Sequence, residues 1–253
     1  MARRRHTRRR RHHRSVAVLY KLLSVVVISG AIVAALTLFF KVETITVSGA
    51  TEYSSEEIIT ASGIQQGDNL FLLNKYEIYE SILEKLPYVS SVSISRKLPD
   101  TLLIEVTDSN QGGVIEDHGT YWVLSAEGKI LGKRAEAGHG ALITGLTLSE
   151  PEVGKKAAVE EGQERALKQL LDLLAALEEK GMLQGVGSFD FSQESVISIK
   201  YADRYVVKFP YGADFPYKLT RLSQVIERLE EQGDQRAGVL DLTAEGEIHF
   251  IPD

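Results

Sequence analysis

The stretch Val89-Ser-Ser-Val-Ser-Ile-Ser-Arg-Lys-Leu-Pro-Asp-Thr-Leu-Leu-Ile-Glu-Val-Thr107 decides the fold of the first half of this protein. Apolar and polar residues alternate on both sides of Leu98-Pro99-Asp100, which is typical of two strands joined by a short turn. The stretch therefore predicts a β-hairpin with strands over 89–96 and 101–107. Ile104 occupies an apolar position of the alternation, so its side chain is predicted to be buried.

Three elements are predicted before the hairpin. Val42–Ser48 alternates as a strand does. Ser54 and Glu57 have the spacing of a helix capping box, and the helix that they open is predicted to end at Gly63. A second helix is predicted to end before Pro87, with an apolar stripe formed by Tyr76, Tyr79, Ile82, Leu83 and Leu86.

A charge-free run of nineteen residues, 22–40, lies upstream of these elements. At about 1.5 Å per residue it spans roughly 28 Å as a helix, close to the ~30 Å hydrocarbon core of a bilayer. The first fourteen residues contain eight arginines and no acid. Because an excess of Lys and Arg stays in the cytoplasm, the pattern predicts a single-pass (type II) protein with its N-terminus inside and its C-terminal domains outside the cell membrane.

A cleaved signal peptide is the alternative for this segment. Signal peptides usually have ~7–15 apolar residues and end in a small-x-small site. Here the run is longer and ends in Leu38-Phe39-Phe40-Lys41, with bulky residues where a peptidase needs small ones. The basic tail could also bind nucleic acid, but its position beside a spanning helix favours a role in topology and contact with anionic lipid.

The charge balance separates the tail and the run from everything that follows. The chain has 29 Lys and Arg against 35 Asp and Glu, yet residues 1–40 hold nine bases and no acid. Residues 41–253 therefore carry a formal charge of −15, which makes nucleic acid an improbable partner for them. The chain has no cysteine, so an exported protein of this composition must be stabilised by its core alone.

The second half is predicted to be rich in short strands, with two long helices. The helices are expected over about 163–180 and 217–232, and each has a leucine-rich apolar stripe. In the first helix the stripe is Leu167, Leu170, Leu171, Leu174 and Leu177, and in the second it is Leu219, Leu222, Ile226 and Leu229. The predicted strands are 113–116, 120–124, 129–132, 142–145, 189–191, 196–201, 205–209, 239–242 and 247–251. The fold class is therefore α+β.

No catalytic or metal-binding pattern emerges from the residues. The common serine-acylation and phosphate-loop motifs are absent. His118, His139 and His249 are far apart, so we predict neither a metal site nor a bound cofactor. The acidic pairs at 56–57, 160–161 and 230–231 flank helix ends or loops and are better interpreted as solvated surface than as glycosidase carboxylates. The sequence predicts no enzyme and no small-molecule substrate.

Several motifs of the first segment resemble those of a POTRA domain, which has the element order β-α-α-β-β. They are Val47-Ser48-Gly49, Gly67-Asp68-Asn69-Leu70-Phe71, Leu86-Pro87-Tyr88-Val89 and the Arg96–Leu102 hairpin turn. One POTRA domain directly after one spanning helix resembles the FtsQ/DivIB family of bacterial cell-division proteins. The resemblance implies a basic cytoplasmic tail (1–21), a transmembrane helix (22–40), a POTRA domain (41–108) and a β-rich C-terminal domain (109–253).

The resemblance also implies a function. The family's members are divisome scaffolds that bind FtsB/DivIC-type and FtsL-type coiled-coil proteins outside the membrane and help to control septal peptidoglycan synthesis. Enrichment at the division septum of a Gram-positive-like bacterium is therefore expected. The family's interaction surface corresponds here to the last two strands and the start of the last helix. These are Glu247, Ile248, His249, Phe250 and Ile251, together with Leu242, Lys218 and Leu222.

Pairing at a sheet edge is the binding mode that such a surface favours, because a partner strand can complete an open edge. The last strand is expected at an edge, and the strand at 101–107 is the alternative edge. Two other functions stay open. A POTRA-bearing translocation component would be favoured by tandem POTRA repeats, and a membrane-anchored cell-wall enzyme would need a convergent pair of acids. Neither pattern is found in the sequence.

Overall fold

A computed structural model describes residues 12–49, 52–244 and 247–253, with side chains from Val18 onward. The arginine-rich tail that carries the orientation prediction lies mostly outside these residues. Helix α1 (His12–Phe39) contains the predicted span 22–40 except for its last residue, Phe40. Within the described part of the chain, Val18–Phe39 is the one helical stretch that is long and apolar enough to cross a membrane, and none of it is buried by protein.

The segment after α1 folds as the sequence predicts, around a small three-stranded sheet. Its elements are β1 (Thr44–Ser48), α2 (Ser55–Ser62), α3 (Lys75–Lys85), β2 (Val89–Lys97) and β3 (Thr101–Asp108). Ser54 and Glu57 form the predicted capping box of α2, and Gly63 ends this helix in the left-handed conformation. Ile104 is fully buried, as the alternation predicts, in a core that also contains Ile58 and Ile82.

Two details of this segment differ from the sequence predictions. Tyr76 was assigned to the buried stripe of α3, but its side chain is exposed, and Ile78 is buried instead. The sheet order is β1-β3-β2, so β3 is the central strand and both of its sides are paired. The prediction that 101–107 forms a sheet edge is therefore wrong. β1 takes the other side of β3 in parallel, which no local pattern indicates.

The rest of the chain builds a nine-stranded sheet in the order β12-β11-β10-β9-β8-β7-β4-β5-β6. The strands are β4 (Gln111–Asp117), β5 (Thr120–Ser125), β6 (Ile130–Arg134), β7 (Leu142–Thr144), β8 (Val186–Asp190), β9 (Val196–Tyr201), β10 (Tyr205–Pro210), β11 (Gly238–Asp241) and β12 (His249–Pro252). Helices α4 (Glu164–Glu179) and α5 (Phe215–Glu231) bury their apolar faces in the same core as β10. Leu173 is buried in α4, whereas Leu167 and Leu171 of the predicted stripe are only half-buried.

The two ends of this sheet differ. At one end, the N–H of Ile130 in β6 donates to the carbonyl of Lys155, and its carbonyl accepts from Gly154. Lys129 and Lys156 form a further bridge beside it. The 154–156 segment therefore covers the beginning of the β6 edge. At the other end lies β12, and within the described residues no strand pairs with its outer side.

Candidate functional site

The candidate binding surface centres on the β12 edge. β11 and β12 are antiparallel, with Leu240 opposite Phe250 and Asp241 opposite His249. The strand was predicted over 247–251 but begins two residues later and ends one residue later, so Glu247 and Ile248 belong to the segment that leads into it. The predicted placement at an edge is confirmed by the strand order.

The backbone directions along β12 follow from the hydrogen bonds of β11. The N–H groups of Gly238 and Leu242 donate to carbonyls of Arg204 and Lys208, on the β10 side. Backbone groups point to alternate sides along a strand. The N–H and C=O groups of Val239 and Asp241 therefore point to β12. The N–H and C=O groups of His249 and Ile251 therefore point to β11.

Phe250 and Pro252 consequently face outward. The outward row offers the N–H of Phe250 and the carbonyls of Phe250 and Pro252, with a further N–H from Ile248 beside the strand. Pro252 occupies a position at which its missing N–H costs no hydrogen bond, which is where proline is tolerated in a sheet. The open edge is thus short, and it has one N–H donor inside the strand.

The side chain of Phe250 is half-buried over the end of the core. Its ring lies 6.2 Å from that of Tyr205 in an edge-to-face arrangement, and the Arg236 guanidinium lies 6.0 Å from its centroid. A Cβ at Gly238 would come within 2.9 Å of the Phe250 ring and 2.3 Å of the Ile251 carbonyl oxygen. Gly238 is therefore required for the close approach of β12. The sequence analysis missed this residue, although a glycine directly before an apolar strand was the available signal.

The loop before β11 is held in place by charged groups. Asp234 accepts hydrogen bonds from the backbone N–H and the guanidinium of Arg236, and these bonds lower the pKa of Asp234 to about 2. Arg204 also donates to the Asp234 carbonyl. These bonds hold the guanidinium of Arg236 beside Phe250, so a positive charge is fixed next to the edge.

The start of α5 lies next to the same edge. The ammonium group of Lys218 donates to the carbonyls of Leu242, at 2.5 Å, and Ala244, at 3.2 Å. It therefore ties α5 to the segment after β11. Leu222 and Leu242 are fully buried, so they support the surface from below. A shallow crevice beside them is lined by Tyr217, Lys218, Arg221, Leu242, Glu247 and Ile248.

The opposite face of the sheet has an apolar row that ends at the edge. Val206, Val239 and Ile251 lie in register across β10, β11 and β12. Val206 is 39% exposed and Ile251 is 55% exposed. Beside this row, Asp241 accepts a hydrogen bond from the Thr243 hydroxyl, which lowers the pKa of the carboxyl. A strand added outside β12 would continue both the apolar row and the layer that contains Phe250.

The structure groups six of the eight predicted binding residues at the surface, and the other two, Leu222 and Leu242, are buried beneath it. His249, Phe250, Ile251, Ile248 and Lys218 lie on the edge strand, beside it or at the start of α5. Glu247 is exposed, and its carboxylate lies 3.4 Å from the His249 imidazole. Direct contact of these side chains with a partner stays a prediction.

No cluster suited to metal binding is present among the described residues. No group of three or more His, Asp or Glu side chains there could hold an ion. Of the acidic pairs considered for catalysis, Glu57 accepts hydrogen bonds from the hydroxyl and the backbone N–H of Ser54, which lower the pKa of Glu57. Its carboxylate therefore caps the start of α2.

Comparison with known families defines the class of the protein. Residues 40–108 match the family model for the POTRA domain of FtsQ type, and residues 113–243 match that for the C-terminal region of cell division protein FtsQ/DivIB. With the apolar helix α1, the chain is an FtsQ-type POTRA protein with a candidate membrane anchor. It belongs to the FtsQ/DivIB family of bacterial cell division proteins.

Two relatives that are similar in sequence agree with this assignment. Cell division protein FtsQ of Geotalea daltonii is 32% identical over 208 residues, which cover 78% of this chain and 70% of that protein. Cell division protein DivIB of Clostridium botulinum strain Hall is 28% identical over 215 residues, which cover 84% and 82%. A solved structure of the major extracytoplasmic domain of DivIB from Geobacillus stearothermophilus aligns with 49% of this chain and 96% of its own, at 14% identity and a TM-score of 0.30.

Proposed function

We propose that this protein is a non-enzymatic, membrane-anchored scaffold of the divisome. It binds FtsB/DivIC-type and FtsL-type partners outside the membrane and helps to control septal peptidoglycan synthesis. Its N-terminus is cytoplasmic, and the protein is enriched at the division septum. Membership of the FtsQ/DivIB family and the apolar helix α1 support this proposal. We further propose the domain division 1–21, 22–40, 41–108 and 109–253 that the sequence suggests.

The observation that carries the proposal is the open edge of β12. A partner segment that adds beside it would donate to and accept from the outward backbone groups of Phe250 and reach the carbonyl of Pro252. Such pairing takes its affinity from main-chain hydrogen bonds and its specificity from the neighbouring side chains. Because the edge is short, the partner strand needs only a few extended residues.

The side chains around the edge define what the partner should present. On one face, an apolar partner residue would lie beside Phe250 and could cover its exposed portion. On the other face, an apolar residue would extend the row that ends at Ile251. The crevice by Tyr217 and Ile248 lies beyond the beginning of β12 and could accept a helix or turn that continues the partner segment.

The direct test is binding of the purified extracytoplasmic region, residues 41–253, to a DivIC-type partner. Phe250→Pro removes the outward N–H, and Phe250→Ala is its matched control because it removes the ring but keeps the N–H. We expect Phe250→Pro to weaken binding at least tenfold more than Phe250→Ala. Circular dichroism should show both variants folded, since neither loses a bond to β11.

His249→Pro serves as a fold control. Its N–H points to β11, so this change should break the β11–β12 ladder and lower the thermal stability of the domain. Ile248→Pro removes a second outward N–H just before the strand and should weaken binding without this loss of stability. If folded Phe250→Pro and Ile248→Pro variants both bind as tightly as the parent, the partner does not pair with this edge.

A further inference from the structure

The end of the apolar helix is bonded directly to the POTRA segment. The side-chain amide of Asn69 donates to the carbonyls of Leu36, at 2.8 Å, and Thr37, at 3.3 Å. These carbonyls belong to the last turn of α1, where backbone acceptors have no partner within the helix. The N–H of Leu70 also donates to the carbonyl of Phe40, at 2.9 Å. The helix therefore ends against the folded segment without a flexible linker.

This junction fixes the depth of the residues that follow Asn69. Leu36 lies only about 4.5 Å along the helix axis from Phe39, at ~1.5 Å per residue. The ring of Phe71 packs edge-on against that of Phe40, with centroids 5.0 Å apart. Phe71 is thus level with the end of the charge-free run. Leu72, the next residue, is 76% exposed, although leucine is normally a core residue.

The turn of the β2–β3 hairpin is at the same end of the domain. β1 and β3 run parallel and begin together, with Thr44 opposite Thr101. The N–H groups of Glu43 and Thr44 donate to the carbonyl of Asp100, so the turn lies beside the chain as it leaves α1. Leu98, in this turn, is 55% exposed.

Basic side chains surround these exposed apolar residues. Lys41 and Lys97 are exposed, and the guanidinium of Arg96 lies 5.8 Å from the Phe71 ring while donating to the carbonyl of Leu73. Apolar tips with lysine and arginine around them are typical of a surface that inserts into the lipid headgroup region. The acids Glu43, Asp68, Glu77 and Asp100 lie in the same region and offset these basic groups, so the apolar contact must supply the attraction.

We propose that the POTRA segment rests on the bilayer that α1 spans, with Phe71, Leu72 and Leu98 in the outer headgroup region. The occupant of this surface is lipid, because the bonds of Asn69 place it at the depth where the helix leaves the hydrocarbon core. The inference rests on the membrane anchoring proposed above. Its consequence is orientation: two contacts, the helix and the loop tips, prevent the extracytoplasmic domains from rotating freely about the anchor.

The test uses the full-length chain reconstituted in vesicles of phosphatidylcholine with phosphatidylglycerol. Because the protein has no cysteine, single cysteines can carry an environment-sensitive fluorophore. Leu72→Cys and Leu98→Cys probe the proposed contact. Phe39→Cys, at the end of α1, reports on the anchor. Ser91→Cys is the matched control, because it is exposed on β2 and pairs with Thr107, roughly 20 Å further along the sheet.

The readout is quenching by lipids that carry a spin label just below the headgroup. We expect the probes at 39, 72 and 98 to be quenched strongly and the probe at 91 to be quenched little. Quenching of the probe at 72 should reach at least half of that at 39. Quenching at 39 with none at 72 and 98 would overturn the inference and leave the anchor intact. Absence of quenching at 39 would remove the anchor and, with it, the inference.

Discussion

Replacing Ile104 by alanine should remove most of the free energy of unfolding of the POTRA segment. Its side chain is fully buried on the central strand β3, between Val47 on β1 and Ile94 on β2. The change removes three carbon groups, which at ~0.8 kcal/mol each costs about 2.4 kcal/mol of transfer free energy. An unrelaxed cavity of roughly 80 Å³ would add about 2 kcal/mol. Because the surrounding side chains relax partially into such a cavity, we expect a total of about 3–4 kcal/mol.

The loss of unfolding free energy caused by Ile104→Ala should be measured on the fragment 41–108. We predict that it unfolds cooperatively, because its sheet and helices enclose a core of their own. At under seventy residues its margin should be only ~3–5 kcal/mol. Ile104→Ala should then leave the fragment largely unfolded at room temperature, as followed by far-ultraviolet circular dichroism in urea.

Two further variants make the measurement quantitative. Ile104→Val should cost about 0.5–1.5 kcal/mol and leave a measurable transition. Glu105→Ala, on the exposed side of the same strand, should lie within about 0.5 kcal/mol of the parent. An Ile104→Ala fragment that unfolds cooperatively with a loss below about 1 kcal/mol would refute the packing argument. A parent fragment without a cooperative transition would show that the segment depends on the β-rich half.

Three other predictions follow from topology, charge and backbone geometry. A reporter active only outside the cytoplasm should be active when fused after Asp253, and the protein should stay full-length in the membrane fraction. Replacing Arg8–Arg11 by glutamate should weaken this orientation, because the Lys and Arg excess sets it. A soluble form that begins near Leu36 would contradict the anchor. The pKa of Asp234, about 2 against an ordinary 3.8, implies a contribution to stability that is complete above the ordinary value and is lost as the pH falls through about 2. In the Asp234→Asn variant, the free energy of unfolding measured in urea should therefore fall less steeply than in the parent between these pH values. An unchanged pH dependence would contradict this assignment. Gly49→Ala should destabilise the domain by more than about 2 kcal/mol in thermal unfolding, because φ is +111° and the new Cβ would lie 1.9 Å from the Val106 carbonyl oxygen; near-parental unfolding would contradict the clash.

Local signals were sufficient to predict most of the elements. The capping box at Ser54 and Glu57, the left-handed glycine at 63 and the turn before Thr101 depend on neighbours in sequence, so their chemistry can be recognised without a structure. The α+β class and the edge position of the last strand were also predicted and are confirmed by the fold.

Features that depend on distant parts of the chain were not predicted. The parallel pairing of β1 with β3 joins residues more than fifty positions apart and moves β3 from an edge to the centre. The bond from Asn69 to the Leu36 carbonyl spans 33 positions, and an asparagine in a turn gives no indication of its acceptor. The shift of β12 relative to the prediction has the same origin, because its register is set by pairing with β11.

The unequal ends of the nine-stranded sheet limit how this protein can assemble with copies of itself. Head-to-tail stacking of sheets into a fibre needs two open ends on every molecule. Here the 154–156 segment occupies the beginning of β6, whereas no strand pairs with the outer side of β12 in the part of the chain that the structure describes. Self-association through β12 would stop at a symmetric pair. Two molecules joined at β12 would therefore share one continuous sheet, and further growth would need the part of β6 that the 154–156 segment does not cover.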